Sequence, residues 1–401
     1  MLNTAEAKSR TRWLHSQSTR LLVAIGLFWM GLYLYIPVLT LDVVRHGGTA
    51  AFAGLVVAAY GIPQLLVRIS LGVWADRLGR LYPFMIGGFA LVALSSLGMA
   101  VLQRPVMFLL LRVVAGLAAS TWAMFTMAYT VQASSTHTAQ AMGWVSFANS
   151  VGQVVASLVG GFVAERWGWS APFWLSVLIA FMGIVMLGRP RRYPAHSRST
   201  GALKSWRQVI TLRSVRHASI LGIILQAITF MTTYGYTPLF AAHEGVSRAG
   251  LGLLTAVSLV STIIATVVSG SWLSRRVASN TLLMVSFVIM AGSSAVTPWV
   301  GATWGLFVTQ AVLGASRGLA TPLLMAWTIQ DAPPEQRTTA MATYQSLYAI
   351  GMIGGPILAA RIVAVWGLSA PFAAAGGIGV LALVLLGWVG RERTRHMAVE
   401  I

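Results

Sequence analysis

Two arginines stand inside long apolar runs of this sequence, where a charged group is costly and therefore informative. Arg317 lies near the middle of one run and Arg112 lies well inside another. A guanidinium at such a position costs about 2.5–3.5 kcal/mol on membrane-insertion scales, and its fork of donors matches carboxylates and phosphates. We expect both to contact an anionic or zwitterionic molecule. The alternatives are hydrogen bonds to neighbouring carbonyls or hydroxyls for Arg317, and helix packing or proton handling for Arg112.

The acidic residues are informative by their position. The chain has 9 of them in 401 residues, and none falls near the middle of an apolar run. A buried carboxylate attracts cations and can carry a proton, and the sequence predicts no such group at mid-run. Proton exchange would then fall to Asp42, His243 or Glu244 at the ends of the runs or to the substrate itself, and we take Asp42 and His243 as the candidates. The alternative is that both are ordinary loop residues.

Enzymatic chemistry finds no support in the sequence. There is no cysteine, so thiolate metal sites, disulfides and cysteine nucleophiles are excluded. The 7 histidines form no pair at helical spacing, and neither a His-Glu-x-x-His motif nor a phosphate-binding Gly-x-x-x-x-Gly-Lys-Ser/Thr motif occurs. We therefore expect no enzyme, no metal and no cofactor, and an ion gradient as the source of energy.

The composition is that of a polytopic membrane protein. Hydrophobic residues make up 57% of the chain and charged residues 9%, whereas an average soluble domain is about 25% charged. The mean hydropathy is +0.75. A spanning helix needs roughly 20 apolar residues. Charged residues, Gly/Pro pairs and polar clusters divide the sequence into twelve such predicted helices, near 21–42, 49–71, 81–101, 106–130, 140–164, 171–188, 217–241, 249–272, 280–299, 304–329, 339–362 and 370–390.

Basic residues divide unevenly between the two sets of predicted loops. Most of the 28 lysines and arginines fall in segments that share a side with both termini. The positive-inside rule then predicts cytoplasmic termini, which explains the net charge of +19 without nucleic acid. The basic interval 189–216 predicts a cytoplasmic linker between a domain at 1–188 and a domain at 217–401. Arg68, close to the cytoplasmic end of its run, is expected to snorkel to the interface.

The two predicted domains repeat each other. "GQVVASLVGGFVAERWGWSAPF" begins at Gly152, "GMIGGPILAARIVAVWGLSAPF" begins at Gly351, and both close on Ser-Ala-Pro-Phe. "RVVAG" from Arg112 corresponds to "QAVLG" from Gln310, and "YLYIP" from Tyr33 corresponds to "YGYTP" beginning at residue 234. Ordered matches at a nearly constant offset indicate duplication. We therefore predict an all-α membrane protein with twelve transmembrane helices in two pseudo-symmetric six-helix bundles.

The segment "GVWADRLGR" joins the second and third predicted helices and contains Gly72, Asp76, Arg77, Gly79 and Arg80. These residues fit the loop signature Gly-x-x-x-Asp-Arg-x-Gly-Arg of the major facilitator superfamily, which the chain resembles over essentially its whole length. The resemblance implies a gating role, in which the Asp76 carboxylate latches two helices together through backbone N–H groups or an arginine. Control of topology by Arg77 and Arg80 is the alternative.

Two further motifs extend the resemblance. Arg112 is followed four residues later by a glycine, as in the family's second motif. The fifth predicted helix resembles the family's antiporter motif, although Ala156 and Ser157 stand where a Gly-Pro pair is expected. The four glycines that fit are Gly143, Gly152, Gly160 and Gly161. The Gly-Pro pair occurs in the eleventh helix, at Gly355 and Pro356. We expect gating at Gly152, Gly355 and Pro356, and close helix packing is the alternative for the glycines.

A central cavity between the halves is what the resemblance implies, lined by the first, fourth, seventh and tenth helices. Arg112 and Arg317 would face it from opposite halves. The remaining candidates for its lining are aromatic and amide residues, which bind and orient amphipathic bodies. They are Trp29, Tyr33, Asn149, Gln226, Tyr236 and Gln310.

Together these features predict a monomeric, multi-pass transporter of the cytoplasmic (inner) membrane. It is expected to move a small anionic, zwitterionic or amphipathic organic molecule by alternating access. Proton-coupled export, as by a drug or metabolite antiporter, is favoured, and membrane lipid and protons are the other expected partners. The alternatives are a lipid translocator and an uptake symporter or uniporter of an organic anion.

Overall fold

The computed structural model describes residues 4–78, 80–131, 138–188, 208–300, 303–333 and 336–399. Every regular element in these ranges is helical, which confirms the all-α prediction. The first half of the chain forms helices α1 (Thr4–Tyr33 and Ile36–Arg45), α2 (Ala50–Ala59, Gly61–Leu66 and Arg68–Leu78), α3 (Tyr82–Val101), α4 (Pro105–Ser120 and Trp122–Thr130), α5 (Thr138–Trp167) and α6 (Ala171–Leu187).

The second half of the chain repeats this pattern of long and interrupted helices. It forms α7 (Arg213–Met231, a π-helical turn Thr232–Tyr236 and Thr237–His243), α8 (Arg248–Ser271), α9 (Ser279–Val296), α10 (Thr303–Gln330), α11 (Arg337–Leu347 and Ala349–Trp366) and α12 (Ala370–Val399). Short 3₁₀ turns, Leu273–Arg275 and Thr297–Trp299, follow α8 and α9. The domain boundaries at 188 and 217 remain a prediction, because residues 189–207 lie outside the described ranges.

Membrane crossing follows from the length and composition of the helices. In the described part of the chain, nine helices are long and apolar enough to cross a membrane. Ala50–Leu66 and Ala171–Leu187 are apolar but shorter. Helix α10 has 28 residues and is not among the nine, since its sequence is interrupted by polar groups such as Gln310 and Arg317. The count of twelve crossings therefore stays a prediction.

Apolar side chains separate into an inner and an outer set. Inside the first half, Phe28 packs at 5.4 Å from Phe89 and 4.6 Å from Phe125 between ring centroids. On the outside of the bundle, Val185 and Trp366 are more than two-thirds exposed, at 72% and 71%. Such a surface would drive aggregation in water, whereas in a bilayer it faces lipid.

Helices α1 and α7 are both interrupted near the centre of the molecule, at equivalent points of the repeat. Pro37 opens the second segment of α1, and Pro238 opens the last segment of α7. A proline cannot donate the backbone hydrogen bond of a continuous helix, so it is tolerated at a segment's first turn. In α7 the break includes the π-helical turn Thr232–Tyr236, and such turns are frequent at functional sites.

Small residues let α8 and α10 approach closely. A Cβ added at Gly314 or Gly318 would overlap the main-chain carbonyl of Ser258 or Thr262, respectively. The contact is reinforced by the Thr262 hydroxyl, which donates to the Gly314 carbonyl at 2.9 Å. Close approach through glycines is the usual way that helices pack in membranes. The packing brings Thr262 beside Arg317, which lies one residue before Gly318.

Candidate substrate cavity

A cavity of about 310 Å³ lies between the two halves of the chain. Helices α1, α2, α4 and α5 of the first half line it, together with α7, α8, α10 and α11 of the second. The expectation of four lining helices was therefore too narrow. The interruptions in α2 and α11 fall at the level of the cavity, near Tyr60 and Tyr348, which explains why these helices contribute polar side chains to it.

Arg317 lines the cavity from α10 and is 9% exposed. Its Nη1 donates to the Tyr234 hydroxyl at 3.2 Å, and its Nη2 donates to the Thr262 hydroxyl at 2.8 Å. The guanidinium carbon also lies 5.7 Å from the centroid of the Tyr234 ring. Because an arginine carries five N–H donors, these contacts orient the fork and leave donors for a ligand.

Arg68 is a second arginine in the lining, which corrects the expectation that it snorkels to the membrane interface. It is 7% exposed, and its Nη2 donates to the Gln64 side-chain oxygen at 2.7 Å. Its Nη1 lies 3.4 Å from both the Gln345 carbonyl and the Tyr348 hydroxyl of α11. These polar partners from both halves satisfy the guanidinium inside the protein, so its burial needs no headgroup.

Four aromatic rings form one wall of the cavity. The Trp29 ring lies 5.2 Å from Trp122 and 5.8 Å from Tyr33, in edge-to-face arrangements. Tyr33 in turn meets Tyr234 at 5.9 Å, also edge to face. All four side chains line the cavity. They form a continuous aromatic surface across the two halves, against which a flat apolar molecule can pack.

Amide side chains complete the lining. Asn149 and Gln226 line the cavity from α5 and α7. Gln153 also lines it, and its amide donates to the Asn149 side-chain oxygen. The structure thus brings Trp29, Tyr33, Asn149, Gln226 and Arg317 together, as predicted from the sequence.

Tyr236 and Gln310 lie elsewhere, contrary to expectation. Tyr236 is fully buried, and its hydroxyl donates to the Ala50 carbonyl of α2 at 3.0 Å. Gln310 is 1% exposed and accepts from the Thr233 hydroxyl at 3.2 Å. Tyr234 lines the cavity in place of Tyr236, because side chains two residues apart on a helix point in different directions. The repeat held the signal that was missed, because Tyr234 is the counterpart of the cavity residue Tyr33.

Arg112 is the third buried arginine, and it does not line the large cavity. It is 2% exposed, with its guanidinium carbon 4.3 Å from the centroid of the Tyr60 ring. Tyr60 itself lines the cavity, so this ring covers Arg112. The expectation that Arg112 and Arg317 face one cavity from opposite halves is therefore not met.

Carboxylates are missing from the cavity wall in the described part of the chain. Asp42 is a buried carboxylate outside this wall, and it is 1% exposed near the end of α1. Arg45 Nη1 lies 3.9 Å and His46 Nδ1 lies 3.4 Å from its Oδ1, and neither carboxylate oxygen has a hydrogen-bond partner among the described residues. The other proton-exchange candidate, His243, is exposed.

The predicted outer face is closed by contacts between the halves. The Glu165 carboxylate at the end of α5 accepts from the backbone N–H groups of Arg248 at 2.9 Å and Ala249 at 3.4 Å. It thereby caps the first turn of α8 with a negative charge. The centroid of the Trp169 ring lies 5.5 Å from the guanidinium carbon of Arg45 and 4.9 Å from that of Arg248.

Next to the contact of Glu165 with α8, the main chains of α5 and α8 touch each other directly. A Cβ at Gly161 would stand 2.7 Å from the Gly252 Cα and 2.7 Å from the Arg248 carbonyl oxygen. Helices α2 and α11 meet similarly, since a Cβ at Gly54 would stand 2.9 Å from the Pro356 carbonyl oxygen. The two pairs of helices leave no passage at their contact for a solute the size of the cavity.

Comparison with known proteins decides the family. The family model described as Major Facilitator Superfamily matches residues 21–303 and, in an overlapping second match, residues 222–400. The chain belongs to this superfamily. It is therefore a multi-pass membrane transporter and not an enzyme.

Relatives within the superfamily are distant. The inner membrane transport protein YajR of Escherichia coli is 23% identical over 339 residues, covering 82% of this chain and 73% of its own. The multidrug resistance protein MdtG of Citrobacter koseri is 24% identical over 378 residues, covering 89% of each chain.

Solved structures of the superfamily share the fold. The POT family transporter PepTSo matches with a TM-score of 0.77 at 11% identity, covering 94% of this chain and 98% of its own. The nucleoside transporter NupG matches with a TM-score of 0.73 at 16% identity, covering 92% and 98%. The human organic anion transporter MFSD10 matches with a TM-score of 0.67 at 17% identity, covering 93% and 99%.

The superfamily's loop signature is only partly described. Gly79 lies outside the described residues, and of Gly72, Asp76 and Arg77 only the helical backbone within α2 is described. Arg80 follows as an exposed residue. The latch at Asp76 therefore stays a prediction.

The other superfamily positions expected to gate belong to helix contacts. A Cβ at Gly152 would overlap the main chain of Gly26 in α1, and one at Gly355 would overlap the main chain of Ala227 in α7. Each contact joins two helices of the same half, and the glycine allows these helices to pack closely. Pro356 differs, because its carbonyl meets Gly54 across the two halves. A gating role for all three stays a prediction.

Proposed function

We propose that this protein exports a small organic anion with an apolar, aromatic body, in exchange for protons. The observation that carries the proposal is the charge of the cavity wall. Arg68 and Arg317 line it, and no acidic side chain of the described part of the chain does. The two buried positive charges would repel a cation in the cavity, whereas an anion would neutralise them.

The chemistry of Arg317 favours a carboxylate. Tyr234 and Thr262 accept from one nitrogen each, which pre-orients the planar fork before a ligand arrives. A carboxylate can take two parallel N–H donors from such a fork, and charge-assisted bonds of this kind are roughly twice as strong as neutral ones. The aromatic wall of Trp29 and Tyr33 would take the apolar part of the same molecule.

Export and alternating access are proposed on two further grounds. The relative named a multidrug resistance protein is 24% identical over 89% of the chain, and its printed name supports efflux. The contacts of Glu165 with α8 and of Gly161 with Gly252 close the predicted outer face. We assign this arrangement to the state in which the cavity loads from the cytoplasm.

Asp42 is the proposed site of proton exchange. Its carboxylate is buried within reach of Arg45 and His46, and the helices packed against this part of α1 include α5, α7 and α8. These helices carry the charged or titratable groups Glu165, Arg166, His243 and Arg248. Protonation of Asp42 would change its ion pairs beside the closed contact of α5 and α8, which links proton occupancy to opening.

The anion proposal is tested with a panel of aromatic carboxylates and their matched primary amides. Purified protein should be stabilised against heat by at least one carboxylate and not by its amide, since bound ligand stabilises the folded state. Proteoliposomes should then move that carboxylate faster when a proton gradient is imposed. Stabilisation by amides and carboxylates alike would contradict the anion proposal, and so would movement of labelled lipid between leaflets in place of carboxylate flux.

The proton proposal has its own variant. Asp42→Asn should lose gradient-driven transport and keep exchange of labelled for unlabelled substrate, because exchange needs no net proton movement. Asp331→Asn, an exposed acid at the end of α10, is the matched control and should keep both. Retention of gradient-driven transport by Asp42→Asn would place proton exchange elsewhere.

A further inference from the structure

Arg112 of α4 is the most deeply buried arginine in the described part of the chain. It is 2% exposed, and the face of its guanidinium is covered by two rings of the first half. The guanidinium carbon lies 4.3 Å from the centroid of Tyr60 and 6.0 Å from that of Tyr35. The ring of Tyr60 separates it from the large cavity, so a substrate held by Arg317 does not touch it.

The charge of Arg112 lacks a counter-charge. Its Nε and Nη1 have no hydrogen-bond partner among the described residues, and the ion pairs found there, of Asp42 with Arg45 and His46 and of Glu165 with Arg248, do not include it. An arginine stays charged inside proteins. The penalty for burying an unpaired ion is several kcal/mol, and a desolvated cation–π contact offsets about 2 kcal/mol of it.

A second, very small cavity is lined by the Arg112 side chain. Its volume is about 10 Å³, which corresponds to the centre positions of a single water-sized particle. Arg112 is the only charged residue that lines it, together with aromatic and aliphatic side chains. A water molecule there would accept a hydrogen bond and leave the charge uncompensated.

We propose that this cavity binds one monatomic anion of the size of chloride, held by the guanidinium of Arg112. The volume excludes organic carboxylates, and the charge favours an anion over water. The site goes beyond the proposed transport function, because it requires neither the substrate nor Arg317.

The position of the site suggests what the anion does. Tyr33, Tyr60, Phe230 and Tyr234 line both the small cavity and the large one. They come from both halves of the chain, and Tyr60 stacks on Phe230 with 6.3 Å between ring centroids. A bound anion would neutralise Arg112 behind this shared wall and stabilise the contact between the halves.

The test measures the melting temperature of the purified, substrate-free protein while sodium chloride is replaced by sodium gluconate at constant ionic strength. Chloride should raise the melting temperature saturably, by about 2–3 °C when its concentration is about 10 to 100 times its Kd. Bromide should substitute for it, whereas gluconate should not. A melting temperature that is the same in all three salts would overturn the proposal.

Variants locate the anion. Arg112→Gln should abolish the chloride effect, and Arg361→Gln, an exposed arginine of α11, should retain it. Loss of the effect in Arg317→Gln with retention in Arg112→Gln would assign the anion to the substrate cavity and overturn the proposal. Because Arg112→Gln can fail to fold, anomalous scattering from a bromide-soaked crystal of the unaltered protein supplies a second measurement. It should give a peak beside Arg112, and a peak only elsewhere would count against the site.

Discussion

Arg317→Gln is the substitution that tests the proposed substrate site most directly. It removes the charge and keeps a shorter, neutral hydrogen-bonding side chain on α10. The Tyr234 and Thr262 hydroxyls, now 3.2 and 2.8 Å from the guanidinium nitrogens, lose their charged partner but remain on the cavity surface, where water can solvate them. We therefore expect a folded protein whose affinity for anions is reduced.

The size of the loss follows from the donors that Arg317 has free. Two nitrogens already donate to Tyr234 and Thr262, so the ligand gains the remaining N–H groups. A hydrogen bond to a charged group contributes about 1.5–3 kcal/mol, and each 1.4 kcal/mol is a tenfold change in Kd. Loss of a single such bond should weaken binding of a carboxylate by about 10- to 150-fold. The matched primary amide, which lacks the charge, should change by less than about threefold.

Isothermal titration of purified protein measures this difference at fixed pH and salt. The carboxylate that stabilises the unaltered protein best is titrated into Arg317→Gln and into Arg361→Gln, whose arginine is exposed on α11. The control should keep the original affinity. An Arg317→Gln protein that binds the carboxylate within threefold of the original would refute the anion site, and an equal loss for carboxylate and amide would assign Arg317 a structural role.

Three further substitutions test the closed outer face and the corrected lining. Glu165→Gln removes the charged cap of α8 and should destabilise the closed outer face by about 1 kcal/mol, seen as faster labelling of cysteines introduced there; Glu244→Gln, an exposed acid of the same face, should have no effect. Gly161→Ala should block closure and abolish transport, because its Cβ would stand 2.7 Å from the Gly252 Cα, whereas Gly143→Ala on the same helix meets nothing within 4 Å and should transport normally. Tyr236→Phe should leave substrate affinity unchanged, since its hydroxyl bonds to α2 and not to the cavity; a tenfold weaker Kd would return Tyr236 to the site.

The internal repeat predicts the lining of the cavity better than the polarity of individual residues does. Tyr33 and Tyr234 are counterparts in the repeat, and their rings meet at 5.9 Å in the cavity. Their neighbours Tyr35 and Tyr236 are also counterparts, and both are fully buried away from it. Applying the repeat to Tyr33 would have selected Tyr234 and rejected Tyr236.

The buried arginines mark the limit of what a pattern can decide. Arg68, Arg112 and Arg317 all interrupt apolar runs in the sequence, and the runs by themselves do not show which of the three faces a cavity. In the structure, Arg68 and Arg317 line the large cavity and Arg112 lies behind Tyr60. The difference depends on the direction in which each side chain leaves its packed helix.

The sequence by itself determined the solvent, the fold class and the family of this protein. Apolar runs of membrane length, the repeated segments and the loop signature depend only on composition and order along the chain, which one sequence displays in full. The tertiary structure decided which side chains share a cavity and which close the outer face. Those pairings join residues as far apart as Arg68 and Tyr348 or Glu165 and Arg248, and they depend on the packing of separate helices. No local periodicity encodes that packing.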